Sequence, residues 1–244
     1  MSRLIHIAAA TMVLIGAGAA QAAERNFPTG GEIHKVSNST PFDVYVHTGK
    51  AASVHASGTD NALDRLEIEN RGGDLHVGGK SGSWFSGWHW GRGERARIDI
   101  TVPMIGEVSL SGPGNLTVDT IRTRDFGAHL SGPGNINVGS VEASGVTLSL
   151  SGPGDIRVAG HADRAVLHLS GPGNIRAGDL NLGEADVTLS GGGFSGDGTI
   201  VGDVKVNGGT LAPGDPQSID VIGNYEQTLL GILDLDFAGW RSVS

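Results

Sequence analysis

The sequence contains no cysteine, which excludes disulfides, thiolate metal sites, cysteine nucleophiles and lipid-modified cysteine anchors. Aromatic residues make up 5 % of its 244 residues, so any core must be aliphatic. Basic residues are scarce. Against 26 Asp and Glu stand 17 Lys and Arg, a formal charge of −9, which argues against a nucleic-acid partner or a polybasic membrane contact. The deficit is uneven: residues 23–176 carry 16 acidic and 14 basic side chains, residues 177–244 carry 10 and 2. The composition therefore changes near residue 180.

Long apolar runs are also missing, with one exception. Leu4–Ala20 follows Arg3 and precedes Ala20-Gln21-Ala22, the form of a secretory signal peptide over 1–22. A membrane anchor is the competing reading. Gly16, Gly18 and His6 interrupt the run, and it is short for a span of about 20 apolar residues. No later stretch can cross a bilayer, since Leu229–Ala238 is shorter still and holds Asp234 and Asp236. The expectation is export through the inner membrane, to the periplasm or the cell surface.

What the chain has in abundance is glycine, 41 residues, with 9 prolines, and the glycines recur. Ser-Gly-Pro-Gly begins at Ser111, Ser131, Ser151 and Ser170, and Ser-Gly-Gly-Gly at Ser190, in steps of 20, 20, 19 and 20 residues. Leu110, Leu130, Leu150, Leu169 and Leu189 precede the corners. Leu116, Ile136, Ile156 and Ile175 follow them, with Val118, Val138, Val158 and Ala177 two residues on. Apolar residues alternate within each unit, the period of a strand with one buried face. Recurrent Gly and Pro exclude a helix.

Such a unit predicts an all-β fold, a single-stranded parallel β-helix (solenoid) of about 20-residue coils, stacked about 4.8 Å apart. An antiparallel sandwich gives no reason for identical corners at this interval. Each coil is expected to hold strands of three to five residues. Pro113 would open a type II turn, with Gly114, and likewise Gly134, Gly154 and Gly173, at the positive φ its third position requires. Asn115, Asn135, Asp155 and Asn174 would stack into a row that Asp155 interrupts.

Residues 23–107 read as an irregular β cap over the first coil, with strands at Phe42–His47, Ala51–Ala56, Leu63–Glu69, Asp74–Val77 and Arg95–Val102. The Trp-rich loop 83–92 lies between two of them. Trp84, Phe85, Trp88, Trp90 and Arg92 are the best-localised contact candidates, either an exposed platform for sugar or peptide or a loop folded onto the solenoid flank. Residues 108–190 hold the repeats, and 191–244 form a further β segment with Gly corners.

Residues of about 24–182 resemble the bacterial head GIN domain family of autotransporter-adhesin proteins. The likeness rests on the Thr101-Val102-Pro103 approach and the serial Leu-Ser-Gly-Pro-Gly-Asn-Ile units. Residues 191–237 resemble the autotransporter-associated β-strand repeat, through Gly208-Gly209-Thr210-Leu211-Ala212-Pro213-Gly214 and Gly223-Asn224-Tyr225. The resemblance implies a right-handed β-helix displayed outside the inner membrane, with no catalytic or cofactor residues to transfer. A self-exporting member needs a membrane β-barrel, which the seven residues after 237 cannot build. Another machine would carry the chain to the surface, or it would remain periplasmic, or the gene is truncated.

Enzyme chemistry finds little support. His34, His47, His55, His76, His89, His129, His161 and His168 form no compact ligand spacing. His129 and His168, one residue before a repeat Leu, should face outward into solvent. Asp197 and Asp203 lie in Gly-rich turns without the tandem pattern of a calcium β-helix. Asp119, Asp125, Asp155, Asp163 and Asp179 fall at different phases of the repeat, which disfavours a carbohydrate-active β-helix enzyme. The expectation is a non-enzymatic surface adhesin or interaction module for a glycan or protein, needing no cofactor. A periplasmic structural protein without an external ligand is the alternative.

Overall fold

In the computed structural model the described residues are 23–80, 94–196, 198–201, 204–213 and 219–234. In chain order the elements are β1 (Ala23–Phe27), β2 (Lys35–Asn38), β3 (Asp43–Thr48), β4 (Ser53–Gly58), α1 (Asp60–Arg65), β5 (Leu66–Arg71), β6 (Asp74–Gly79), β7 (Ala96–Val102) and β8 (Glu107–Leu110). Then come β9 (Asn115–Leu130), β10 (Asn135–Leu150), β11 (Asp155–Leu169), β12 (Asn174–Gly196), β13 (Gly198–Val201), β14 (Val204–Pro213), β15 (Ile219–Ile222), β16 (Tyr225–Gln227) and β17 (Gly231–Leu233). They form a parallel β-solenoid of about five turns, about 20 residues apart. The signal-peptide segment 1–22 lies outside the described residues.

The repeat positions stack as the sequence predicts. Leu110 pairs with Leu130, Leu130 with Leu150, Leu150 with Leu169 and Leu169 with Leu189. Leu116, Ile136, Ile156 and Ile175 make a second column. All nine side chains are buried. A neighbouring coil supplies the rest of each residue's apolar surroundings, so no coil is stable without the next.

Strand length departs from expectation. β9 and β10 each run 16 residues without a break and β11 runs 15. In-register neighbours on both sides keep the ladder intact where the chain bends, so corners other than Ser-Gly-Pro-Gly do not end a strand. The 19-residue step is absorbed at one point. Val138 pairs with Val158, but Val141 pairs with Gly160, and Gly160 takes φ +123° there.

The corner glycines are not at positive φ: Gly114, Gly134, Gly154 and Gly173 are absent from the residues in that region, so the type II turn is not formed. They are required for another reason. A Cβ on Gly114 would lie 2.1 Å from the Phe42 carbonyl oxygen. On Gly134 it would lie 1.8 Å from that of Gly114, on Gly154 1.7 Å from that of Gly134, and on Gly173 1.8 Å from that of Gly154. Each corner is pressed against the one before it, and only a residue without a side chain fits.

Residues 23–107 do more than cover an end. β2 pairs in parallel with β8, and β3 with β9, so residues 35–48 are themselves a coil. In this register Asn38-Ser39-Thr40-Pro41-Phe42-Asp43 lies under Leu110-Ser111-Gly112-Pro113-Gly114-Asn115. Asn38 and Thr40 are buried polar residues. The Asn38 Oδ1 accepts from the Thr40 N–H at 2.8 Å and its hydroxyl at 2.7 Å, and its Nδ2 donates to the Phe42 carbonyl at 3.0 Å. Side chains thus close this corner.

Beneath it, β6 pairs in parallel with β2 and β7 with β3. Antiparallel strands finish that end, β5 on β6, β4 on β7 and β1 on β4. The strand expected at Leu63–Glu69 begins only at Leu66, because Asp60–Arg65 is helical. Ala62 and Leu63 are fully buried there, and Arg25 donates to the Leu63 carbonyl at 2.9 Å, satisfying an acceptor the helix end leaves open.

Candidate functional site

Strand alternation sends every second side chain outward, and stacking turns those positions into columns. One column climbs from His76 through Ser37, Ser109, His129, Ser149 and His168 to Thr188. Beside it run Ser111, Ser131, Ser151 and Ser170, each directly after its column Leu. The face is hydroxyl and imidazole throughout.

Its lower part is closed by its own hydrogen bonds. The Ser37 hydroxyl donates to Asp74 at 2.7 Å and meets His76 Nδ1 at 3.0 Å, while Ser39 Oγ lies 3.4 Å from His76 Nε2. Burial, reinforced by the nearby Arg71 charge, holds the His76 pKa below the ordinary imidazole value. Lys35 reaches Glu107 at 2.8 Å and Asp74 at 3.9 Å, and its hydrogen bond to Glu107 raises its pKa. The upper part is open. A shallow groove of about 240 Å³ is lined by Ser109, His129, Leu130, Ser131, Ser149, Leu150, Ser151, His168 and Ser170. Among the described residues its hydroxyls have no side-chain partner, and His129 has only Glu107, at 3.7 Å.

A second outer face carries the row of amides. Asn115 donates to Asp43 at 2.8 Å and Asn135 to Asn115 at 3.0 Å. Asp155, which cannot donate through its carboxylate, gives its backbone N–H to Asn135 at 3.1 Å and accepts from the Asn174 amide at 3.0 Å. The side-chain ladder is thus interrupted at Asp155, as the sequence implies, and bridged there by a backbone N–H, and the row starts one coil earlier than the sequence motif, at Asp43. Burial pushes the Asp155 pKa up, but hydrogen bonds from Arg176 and Asn174 outweigh it, and the net shift is downward. Nearby, His47 lies 3.1 Å from Asp119 and 3.8 Å from Asp99. Arg97, stacked 3.8 Å over the Tyr45 ring, lowers the Asp99 pKa by hydrogen bonding.

None of these clusters has the arrangement of a hydrolase. Nucleophilic serine needs a histidine that takes its proton and a carboxylate behind that histidine. Here the Ser37 proton goes to Asp74. Asp119 meets His47, Asp125 meets Arg124, Asp155 meets Arg176 and Asp163 meets His161, so these carboxylates do not converge. Among the described residues no three His, Asp or Glu side chains are grouped to hold a metal ion.

Trp84, Phe85, Trp88, Trp90 and Arg92 lie outside the described residues, as do Asp197 and Asp203. The described flanks of the aromatic segment are tied down: the Lys80 N–H donates to the Arg65 carbonyl at 2.9 Å, and the Thr59 N–H to the Arg95 carbonyl at 3.0 Å. The groove was within reach of the sequence only in part. His129 and His168 are outward as expected, but their grouping with Ser109 and Ser149 appears only when coils are stacked.

Residues 33–212 match the family described as "Putative auto-transporter adhesin, head GIN domain". The chain belongs to this family. The match runs past residue 182 into the segment read as an autotransporter-associated repeat. No curated protein matches the sequence. Among crystal structures, "a putative adhesin" from Bacteroides fragilis NCTC 9343 has a TM-score of 0.70 at 20 % identity, over 89 % of this chain and 98 % of that one. A "putative lipid binding protein" from Parabacteroides distasonis ATCC 8503 has 0.62 at 17 %, over 89 % and 98 %. A "putative adhesin" from the same strain has 0.53 at 12 %, over 90 % and 98 %. At these identities the likeness is one of fold. This head GIN chain shares the solenoid of all three.

Proposed function

We propose that this head GIN protein is an exported, non-enzymatic adhesin that holds its ligand on the outer faces of the solenoid. The observation that carries the reading is the contrast within one column. Groups with catalytic potential, Ser37, His76 and Asp74, are bonded in an unproductive order, whereas among the described residues the serines above them and His168 face outward without side-chain partners, and His129 meets only Glu107, at 3.7 Å. The family membership supports adhesion, and Leu4–Ala20 with its small-residue cleavage motif supports export. In this reading Trp84, Trp88 and Trp90 add an aromatic platform for sugar or peptide.

Protease treatment of intact cells tests display. Cleavage of the native protein is the expected outcome, and full protection favours the periplasmic alternative. Changing Trp84, Trp88 and Trp90 together to Ala should weaken binding to cells, and unchanged binding removes the platform.

A further inference from the structure

We propose that the groove across β8–β11 is a binding site for a linear, uncharged polysaccharide whose chain lies along the solenoid axis. This deepens the adhesin reading and rests on it for biological context, while the chemistry of the groove stands separately.

The lining selects the ligand class by elimination. No Lys, Arg, Asp or Glu side chain lines the groove, and the Glu107 carboxylate lies 3.7 Å from His129 at its edge, so a polyanion or a phosphate headgroup meets no permanent cation there and a negative charge nearby. A peptide adding to the sheet needs a free strand edge. β8 lies between β2 and β9, β9 between β8 and β10, β10 between β9 and β11, and β11 between β10 and β12. Those ladders are full. A folded protein partner is anchored by large side chains in apolar pockets, and the only apolar lining is Leu130 and Leu150, the roots of inward-facing residues.

What remains is a ligand that both donates and accepts hydrogen bonds in neutral form. Serine hydroxyls do both, and a neutral imidazole offers one donor and one acceptor nitrogen. A sugar hydroxyl is the matching group. The polar groups repeat with the strands, about 4.8 Å apart along the axis, which suits a chain of similar units more than a single compact molecule. Without aromatic stacking each ring gains little, so affinity should grow steeply with the number of rings engaged.

The test is titration of the chain from residue 23 onward with cellohexaose and with the hexamer of N-acetylglucosamine, followed through the imidazole NMR signals of the histidines. His129 and His168 should shift and saturate with at least one hexamer. The corresponding trimer should bind at least tenfold more weakly, and polygalacturonate should leave both rings unmoved. Ser149→Lys, at the centre of the groove on an outward position, should weaken hexamer binding at least tenfold with an unchanged circular dichroism spectrum, and Ser149→Ala less.

Silent His129 and His168 with both hexamers would overturn the proposal. So would equal shifts at His34 and His161 away from the groove, or an equal response to polygalacturonate. Failure of the adhesin reading looks different: hexamer binding retained by purified protein that intact cells shield from protease. If Ser149→Lys binds cells like the unaltered chain and the hexamer titrations are silent, the groove is excluded and the adhesin reading survives.

Discussion

Two corners of the same solenoid are built from different materials. In the coil of residues 35–48 the corner is Asn38-Ser39-Thr40-Pro41-Phe42; in the next it is Leu110-Ser111-Gly112-Pro113-Gly114. Serine and proline are common to both. The difference follows from what lies on the N-terminal side. A Cβ on Gly112 would stand 2.3 Å from the Thr40 carbonyl oxygen, just as one on Gly114 would meet that of Phe42. The earlier corner accommodates Thr and Phe at the equivalent positions, and Asn38 supplies the bonds that hold it. Glycine in this repeat is the signature of a neighbour, and its absence marks the place where regular stacking begins.

The largest expected effect comes from moving one corner's solution into the other. Leu150 is packed between Leu130 and Leu169, and Leu150→Asn should cost about 3–5 kcal/mol in urea unfolding, through lost apolar burial and a desolvated amide. A cost under about 1 kcal/mol would mean that an Asn-closed corner works anywhere in the column. The reverse exchange, Asn38→Leu, strips partners from the Thr40 N–H and hydroxyl and the Phe42 carbonyl, and should cost about 1–3 kcal/mol. No loss would show that those bonds do not hold the first corner.

The base also differs in its response to acid. Because burial lowers the folded-state pKa of His76, the unfolded chain takes up that proton first as pH falls through about 6.5. The stability associated with neutral His76 is present above that pH and is lost below it. His76→Gln should therefore lose less stability than the unaltered chain between pH 7.5 and 5.5, as read by thermal melts, and parallel losses would contradict the assignment. Asp99 and Asp155, whose pKa values are lowered, contribute above about pH 4 and lose that contribution only in stronger acid. The smallest effect is at the outward neighbour of Leu150: Ser149→Asn should change stability by less than about 0.5 kcal/mol.

Much of the regular region was legible in the sequence because each structural position is restated every 20 residues. The Leu and Ile columns, the outward histidines and the amide row all follow from that restatement. The first coil was not, although Ser39 and Pro41 keep their places, because Asn38, Thr40 and Phe42 erase the Leu and Gly that define the motif. The helix at Asp60–Arg65 was hidden by its shortness, with Leu63 and Leu66 fitting strand and helix readings alike. The sequence marks the corner glycines but not the reason for them, since Pro-Gly implies a turn locally while close stacking is a property of two coils. The groove required the same step from one coil to several.

At the Ser-Gly-Pro-Gly corners successive coils approach so closely that no side chain fits between them. The most direct test is urea unfolding of Gly134→Ala, whose added Cβ would stand 1.8 Å from the Gly114 carbonyl oxygen. A loss of at least about 3 kcal/mol is expected, at the upper end for overpacking because backbone on both sides must move. A loss below about 1 kcal/mol, the scale of an ordinary substitution, would contradict it.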